Sequence, residues 1–276
     1  MILKGMHGLF YDRNFVTRAE RDQVFEWLST IHPIWEERYS KNNPPPAGKE
    51  QRHLLRPVYW LGSWQFACLD YYHPPKGVEN RCVEAEPFPP ILAQLVKRIE
   101  AIAREMFTRP GDMPKGWHLN VCLVNFYGNR LENGKRIDCA RVGEHKDFEP
   151  GPVASLSFGE RAFFQFVSSR RPGTRDAVVF QQWLDDSALQ LFGGDRLKRQ
   201  LFHRVQRVDK KEKHRFALNV ENFETRRVNL TFRYVPDEHV VSYSKLPATS
   251  AEDVRAYMTE LAKHSEFFDK ALKARL

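Results

Sequence analysis

Hydrophobic and polar positions change rhythm twice along this chain. Near the start, Thr17-x-x-Glu20 reads as a capping box, and Val24, Leu28 and Ile31 follow it on one helical face. Residues 42–50 hold Pro44-Pro45-Pro46, which favours an extended, linker-like loop. Ile91, Leu95, Ile99 and Ile102 then recur at helical spacing and predict a helix over about 90–106. From His118 to Val235 the rhythm shortens to strand-length runs separated by turns such as Gly193-Gly194, which predicts a jelly roll of two facing sheets. Past Pro236 helical spacing returns: Ser250-x-x-Asp253 reads as a second capping box, ahead of Val254, Tyr257, Met258 and Leu261. No internal repeat is visible. The expected fold is α+β with a mainly β core, a double-stranded β-helix (jelly roll) buttressed by N-terminal helices. It divides into an N-terminal helical and aromatic segment (1–117), a jelly-roll core (118–235) and a helical C-terminal extension (236–276).

Two of the predicted strands have unlike faces. In Arg227-Val228-Asn229-Leu230-Thr231-Phe232-Arg233 polar and apolar residues alternate strictly, with arginine at both ends. Six residues of strand span roughly 20 Å, and two arginines reaching inward would narrow that gap to the length of a small dicarboxylate, which a guanidinium fork matches. The alternative is an outer edge with solvated arginines. In the strand Leu119 to Tyr127, Leu119, Val121 and Leu123 form an apolar stripe that ends in Asn125 and Tyr127 on the same face. Those two could also mark a strand end entering a turn at Gly128-Asn129.

Composition narrows the class without naming it. A chain of 276 residues, 42% hydrophobic and 13% aromatic, can bury a sizeable core. No apolar run approaches membrane-spanning length, and the start Met1-Ile2-Leu3-Lys4-Gly5 is too short and polar for a signal peptide, so a cytoplasmic location with no membrane partner is the expectation. Cys68, Cys82, Cys122 and Cys139 form no C-x-x-C pair and read as free thiols, although zinc held by Cys68, Cys82, His53 and His73 is an alternative. Net charge is +8, and residues 161–235, with 16 Lys and Arg against 8 Asp and Glu, carry an excess of that size. A basic face there would attract phosphates, whereas Arg207 to Arg215 (RVDKKEKHR) could equally be a solvated loop of mixed sign.

The candidate chemistry lies in the same region. His145-Lys146-Asp147, with His203 downstream, supplies two imidazoles and a carboxylate, and that set bound on one side of Fe(II) leaves positions open for a bidentate cosubstrate and dioxygen. With ten histidines and 35 acidic residues such a pattern is easily accidental. The alternating arginine strand and the Asn125-Tyr127 pair are what raise it above accident.

Together these residues resemble the AlkB-type Fe(II) and 2-oxoglutarate dioxygenases, which repair alkylated nucleic acids. The family pattern N-x-Y, H-x-D, a distal H and R-x-N-x-T-x-R stands here as Asn125-Phe126-Tyr127, His145-Lys146-Asp147, His203 and Arg227 to Arg233, and PVASLSFGERAFFQF (Pro152 to Phe166) looks like its core strands. The resemblance covers roughly residues 118–235. It implies His145, Asp147 and His203 as iron ligands, with His203 rather than His214 as the distal one because Phe202-His203-Arg204-Val205 looks like the family's distal strand. It implies Asn125, Tyr127, Arg227, Asn229 and Arg233 around 2-oxoglutarate, Arg227 and Tyr127 at the distal carboxylate and Arg233 at the one nearest the metal.

For the substrate, the resemblance implies Glu149, two positions beyond Asp147, and Arg170 or Arg171 after the F-Q-F strand. It further implies a lid over the nucleotide from Arg56 to Tyr72 (RPVYWLGSWQFACLDYY), where Trp60 and Tyr71 would stack on a flipped base at roughly 1 to 3 kcal/mol per base. The alternative is that most of these rings belong to the core. The chain departs from the family in the long polar stretch Gly128 to Glu144 and in Glu149, which stands where the bacterial repair enzyme has aspartate. The expected activity is oxidative demethylation of N-alkylated bases in DNA or RNA with Fe(II), 2-oxoglutarate and dioxygen. The rivals are the same oxygenase chemistry on a protein side chain or metabolite, and a non-catalytic nucleic-acid-binding module.

Overall fold

In chain order the elements are β1 (Leu9–Asp12), α1 (Arg18–Leu28), β2 (Val58–Leu61), β3 (Ser63–Trp64), β4 (Cys82–Glu84) and α2 (Pro90–Met106). Next come β5 (Val121–Glu132), β6 (Lys135–Asp138), β7 (Val142–His145), β8 (Val153–Gly159), β9 (Ala162–Val167), β10 (Val178–Leu184), β11 (Ala188–Phe192), β12 (Phe202–Gln206) and β13 (Phe223–Arg233). The chain ends in β14 (Val240–Val241), α3 (Ala248–Ala262) and α4 (Glu266–Lys273). The structure is a computed structural model that describes residues 7–69, 82–168, 178–206, 208 and 215–275.

Two antiparallel sheets form the jelly roll that the alternation predicts. The large sheet runs β1-β11-β8-β13-β5-β2 with β6 on β5, and the small one β10-β9-β12-β7. The longest pairing joins β13 to β5, with Arg227 opposite Tyr127, Asn229 opposite Asn125 and Arg233 opposite Val121. Because side chains alternate across a strand, Val228, Leu230 and Phe232 emerge on the face away from the small sheet, where they join the main core with Leu156, Phe158 and Phe126. The helices cover that face: Phe25 of α1 meets Phe158 edge-on at 5.8 Å, and Ile91, Leu95 and Ile99 of α2 enter the same core. The opposite face carries the polar set. A smaller apolar cluster of Phe164, Phe166, Phe192, Val153 and Leu184 fills part of the space between the sheets.

The helix starts show what local signals determine. Thr17 caps α1 in full, its Oγ accepting from the Glu20 N–H at 3.3 Å while Glu20 accepts from the Thr17 N–H at 2.8 Å. The helix ends at Leu28, so Ile31 is buried beyond it. Helix α2 has the predicted bounds, with proline in its first turn, where a missing N–H is harmless. The second capping box does not form: α3 begins at Ala248 behind Pro247, Ser250 lies inside it, and Asp253 Oδ1 instead accepts from the Asn42 side-chain amide at 2.9 Å. Ser265 caps α4, a helix the spacing did not reveal.

Two further expectations change, and the reading of the cysteines as free thiols holds. Gly128-Asn129 is not a turn: β5 continues to Glu132 and returns as β6 through Asn133-Gly134, whose φ values of 50° and 73° suit an Asn-Gly hairpin. Most of the long polar stretch is therefore paired strand. Arg226 secures it, with its guanidinium buried against Glu160 (2.9 Å), Asp138 (3.3 Å) and Asn129 Oδ1 (2.5 Å). Residue 117 is no boundary of the sheet either, because β1 pairs with β11 and β2 with β5 at its two edges. Finally, the four cysteines are free and buried, and burial pushes the Cys68 thiol up to about 12. His73 lies outside the described residues, and among those described no zinc set forms. No helix among them is long and apolar enough to cross a membrane.

Candidate active site

Register brings the predicted residues together. His145 ends β7 directly opposite His203 of β12, with ring centroids 4.2 Å apart. Asp147 lies two residues on, so period two returns it to the same side. One ligand atom from each of His145, Asp147 and His203 lies within 4.8 Å of the others, and among the described residues no second such group occurs.

The protonation pattern of this group suits a metal. A carbonyl oxygen only accepts, so the 2.9 Å contact from His145 Nδ1 to the Gly143 carbonyl puts the proton on Nδ1 and leaves the Nε2 lone pair free. Burial, and then the neighbouring His145, holds His203 well below the usual histidine range, so it too is neutral. For Asp147 burial opposes ionisation, but Arg233 and then His203 outweigh it and hold the carboxyl far below its ordinary value. Its Oδ1 accepts from Arg233 Nε at 3.0 Å and Nη2 at 2.7 Å. Its Oδ2 is buried without a hydrogen-bond partner, 3.3 Å from His203 Nε2. An orphaned carboxylate oxygen facing two neutral imidazoles is the donor set an Fe(II) ion requires.

Beside this group lies a narrow chamber with about 60 Å³ of water-accessible space, lined by Asn125, Tyr127, Arg227, Asn229 and Arg233. Arg227 donates from Nη2 to Ser157 Oγ at 3.1 Å, and its guanidinium sits 4.8 Å from the Tyr127 ring centre. Its Nε and Nη1 are buried with no partner, a costly arrangement that an entering carboxylate would relieve. Asn229 is already engaged, donating to Ser155 Oγ and the Leu156 carbonyl at 2.8 Å each and accepting from Thr231 Oγ1 at 2.8 Å. It therefore stiffens the chamber wall.

Three residues were missed by the sequence reading. Arg56 enters the chamber from just before β2, donating to Asn125 Oδ1 at 2.6 Å, with its guanidinium 5.2 Å from the Tyr127 ring. Gln190 of β11 lines the same chamber, and neither atom of its amide finds a partner. Its signal was present, a lone polar residue between leucines in Ala188-Leu189-Gln190-Leu191-Phe192. Lys198, on a short π-helical turn Arg196–Gln200, lies on the other side of Asp147.

The expected substrate residues separate. Glu149 is buried near the metal group, 3.5 Å from Arg233 Nε, and burial raises its carboxyl above the ordinary value. Trp60 is no stacking platform: it is fully buried, its Nε1 donating to Glu36 at 2.9 Å. Trp64, also fully buried, donates to the same oxygen at 3.0 Å. The core reading of these rings is the correct one, because two indole N–H groups beside a buried carboxylate satisfy one another. Tyr71, Arg170, Arg171 and His214 lie outside the described residues.

Comparison with known proteins agrees with the geometry. The sequence profile of the 2OG-Fe(II) oxygenase superfamily matches residues 8–233. The Arabidopsis thaliana protein named DNA N(6)-methyladenine demethylase ALKBH1D is 28% identical over 123 residues, 42% of this chain. The match spans only 24% of that relative's length. Among solved structures, that of OsALKBH1 superposes with a TM-score of 0.50 at 19% identity, covering 83% of this chain and 99% of the other, a likeness of fold.

Proposed function

This chain belongs to the 2OG-Fe(II) oxygenase superfamily, and from that membership we propose that it demethylates N-methylated bases of DNA or RNA by oxidation. As a member it is a dioxygenase that uses Fe(II), 2-oxoglutarate and dioxygen. The observation that carries the proposal is the position of Asp147, which lines both the arginine-rich chamber and a larger groove on its other side. One cavity suits the small dicarboxylate and the other a larger substrate. The named activity of the Arabidopsis relative and the basic balance of residues 161–235 support a nucleobase as that substrate.

In this proposal His145, Asp147 and His203 would hold the iron. When bound, the iron and 2-oxoglutarate supply oxidation of a C–H bond by dioxygen, coupled to decarboxylation to succinate and carbon dioxide. The residues supply position and dryness. Arg227, with Arg56 and Tyr127, takes the distal carboxylate, Arg233 keeps Asp147 ionised, and Phe164 and Phe192, 5.7 and 5.3 Å from the His203 ring, shield it from water. One oxygen atom enters a C–H bond of the N-methyl group to give N–CH2OH, whose N–C bond then breaks to release formaldehyde and leave N–H; the other enters succinate. We place this reaction in the cytoplasm, in repair of alkylated nucleic acid.

The test incubates the protein with Fe(II), 2-oxoglutarate and oxygen against methylated single-stranded DNA and RNA, reading base mass and succinate together. Demethylation that His145→Ala abolishes is the expected result. Succinate without demethylation would send the search to protein or metabolite substrates. Cells lacking the protein should also become more sensitive to a methylating agent.

A further inference from the structure

Across Asp147 from the chamber, a groove of about 740 Å³ opens between residues 110–114, 146–151 and 194–199, a size suited to a small-molecule or single-base site. Most of its charges are already engaged. Asp112 accepts from the Arg109 N–H at 3.3 Å, Asp195 from Gln200 Nε2 at 2.7 Å, and the Lys146 ammonium donates to the Arg199 carbonyl.

Two groups are not. Lys198 as a residue is half-buried, but its Nζ is fully buried with no hydrogen-bond partner. Glu149 Oε1 lies 3.5 Å from both Arg233 Nε and Gln65 Nε2, while its Oε2 is buried and unpartnered. An unsatisfied donor and an unsatisfied acceptor lining one groove beside the metal group are costly unless an occupant completes both.

We infer that Lys198 selects an uncharged methylated base, donating to a ring nitrogen while Glu149 accepts from the exocyclic N–H beside it, as the edge of N6-methyladenine allows. This inference rests on the nucleobase reading above and narrows it. In a base methylated on the ring, such as 1-methyladenine, the methyl group occupies the nitrogen lone pair, so the buried Lys198 Nζ finds no acceptor there and stays unsatisfied. Arg233 cannot take this role, because its fork is committed to Asp147. Phe148, 41% exposed, adds an apolar ring to the groove.

The experiment gives the holoenzyme two single-stranded DNA oligonucleotides together, one carrying N6-methyladenine and one carrying 1-methyladenine, and follows both by mass. The wild type is expected to favour N6-methyladenine by about tenfold. Lys198→Met should bring the ratio near one, and Lys198→Arg should retain the preference. Because both rates come from one sample, loss of folded protein leaves the ratio unmoved. Competition binding without oxygen should give the same order. A wild-type preference for 1-methyladenine, or a ratio that Lys198→Met leaves unchanged, overturns the inference while demethylation stands. Succinate with neither base demethylated overturns the nucleobase reading and this inference with it.

Discussion

Asp147 and Glu36 are both buried carboxylates, 6% and 1% exposed, in surroundings that differ in kind. Both oxygens of Glu36 are occupied: Oε1 accepts from Trp60 and Trp64, and Oε2 from the Ala67 N–H at 3.0 Å. Burial pushes its carboxyl up to about 7. Asp147 shares one oxygen with Arg233, keeps the other unpartnered beside two imidazoles, and stays ionised. Burial is common to both, so burial does not identify a site. What distinguishes Asp147 is the incomplete hydrogen bonding together with its cationic neighbour. Glu36 closes on itself and fastens the aromatic segment to the core; Asp147 presents a carboxylate oxygen that a metal ion would take.

The comparison breaks most decisively at the metal group. His145→Ala or Asp147→Asn should lower turnover by on the order of a thousandfold or more, since ligands that act as a unit fail together, while circular dichroism shows a folded chain. A variant with substantial turnover would remove the functional side of the contrast.

Glu36 should reveal itself through stability instead. In the folded chain it holds its proton up to about pH 7, whereas unfolding lets it go near the ordinary 4.5. Between those values the folded state binds more protons, so this group's contribution is complete below about pH 4.5 and declines as pH rises to 7, by about 3 kcal/mol in all. Denaturant melts across that range should show the decline, and Glu36→Gln should flatten it.

Arg227→Met sharpens the difference between satisfied and waiting charge. It should raise KM for 2-oxoglutarate roughly 30-fold, equivalent to about 2 kcal/mol for a charged hydrogen bond. The same change should raise the melting temperature without 2-oxoglutarate, because it removes a buried cation with two unpartnered N–H groups. A lower melting temperature in that state would mean Arg227 is a structural ion like Arg226. The smallest effect belongs to Trp60→Phe, which should cost about 1 kcal/mol of stability through the lost bond to Glu36 and leave demethylation unchanged. Weakened oligonucleotide binding would restore the stacking role that its burial denies.

The legible parts of the site were those written in local periodicity. Asn125, Tyr127, Arg227, Asn229 and Arg233 come from two strands whose alternation is visible, and their direct pairing in β5 and β13 places them in one chamber. Arg56 was hidden because it contacts Asn125, 69 positions away, from a segment without period. Trp60 was misread because aromatic content looks the same in a stacking platform and in a core. Only the distant Glu36 settles which it is.

The chain's own pattern determined the strand-rich core, the bounds of α2 and the capping of α1, since each depends on neighbours within a strand or helical turn, while the resemblance to the AlkB-type family implied the full set of iron and cosubstrate candidates. Tertiary structure alone decided that most of Gly128 to Glu144 is paired strand, that β1 and β2 complete the large sheet, that Glu36 captures two tryptophans, and that Lys198 stands unpartnered beside Glu149's groove. The physical reason is that periodicity reports which face a residue takes, whereas hydrogen-bond satisfaction depends on partners that only the folded chain brings within 3 Å.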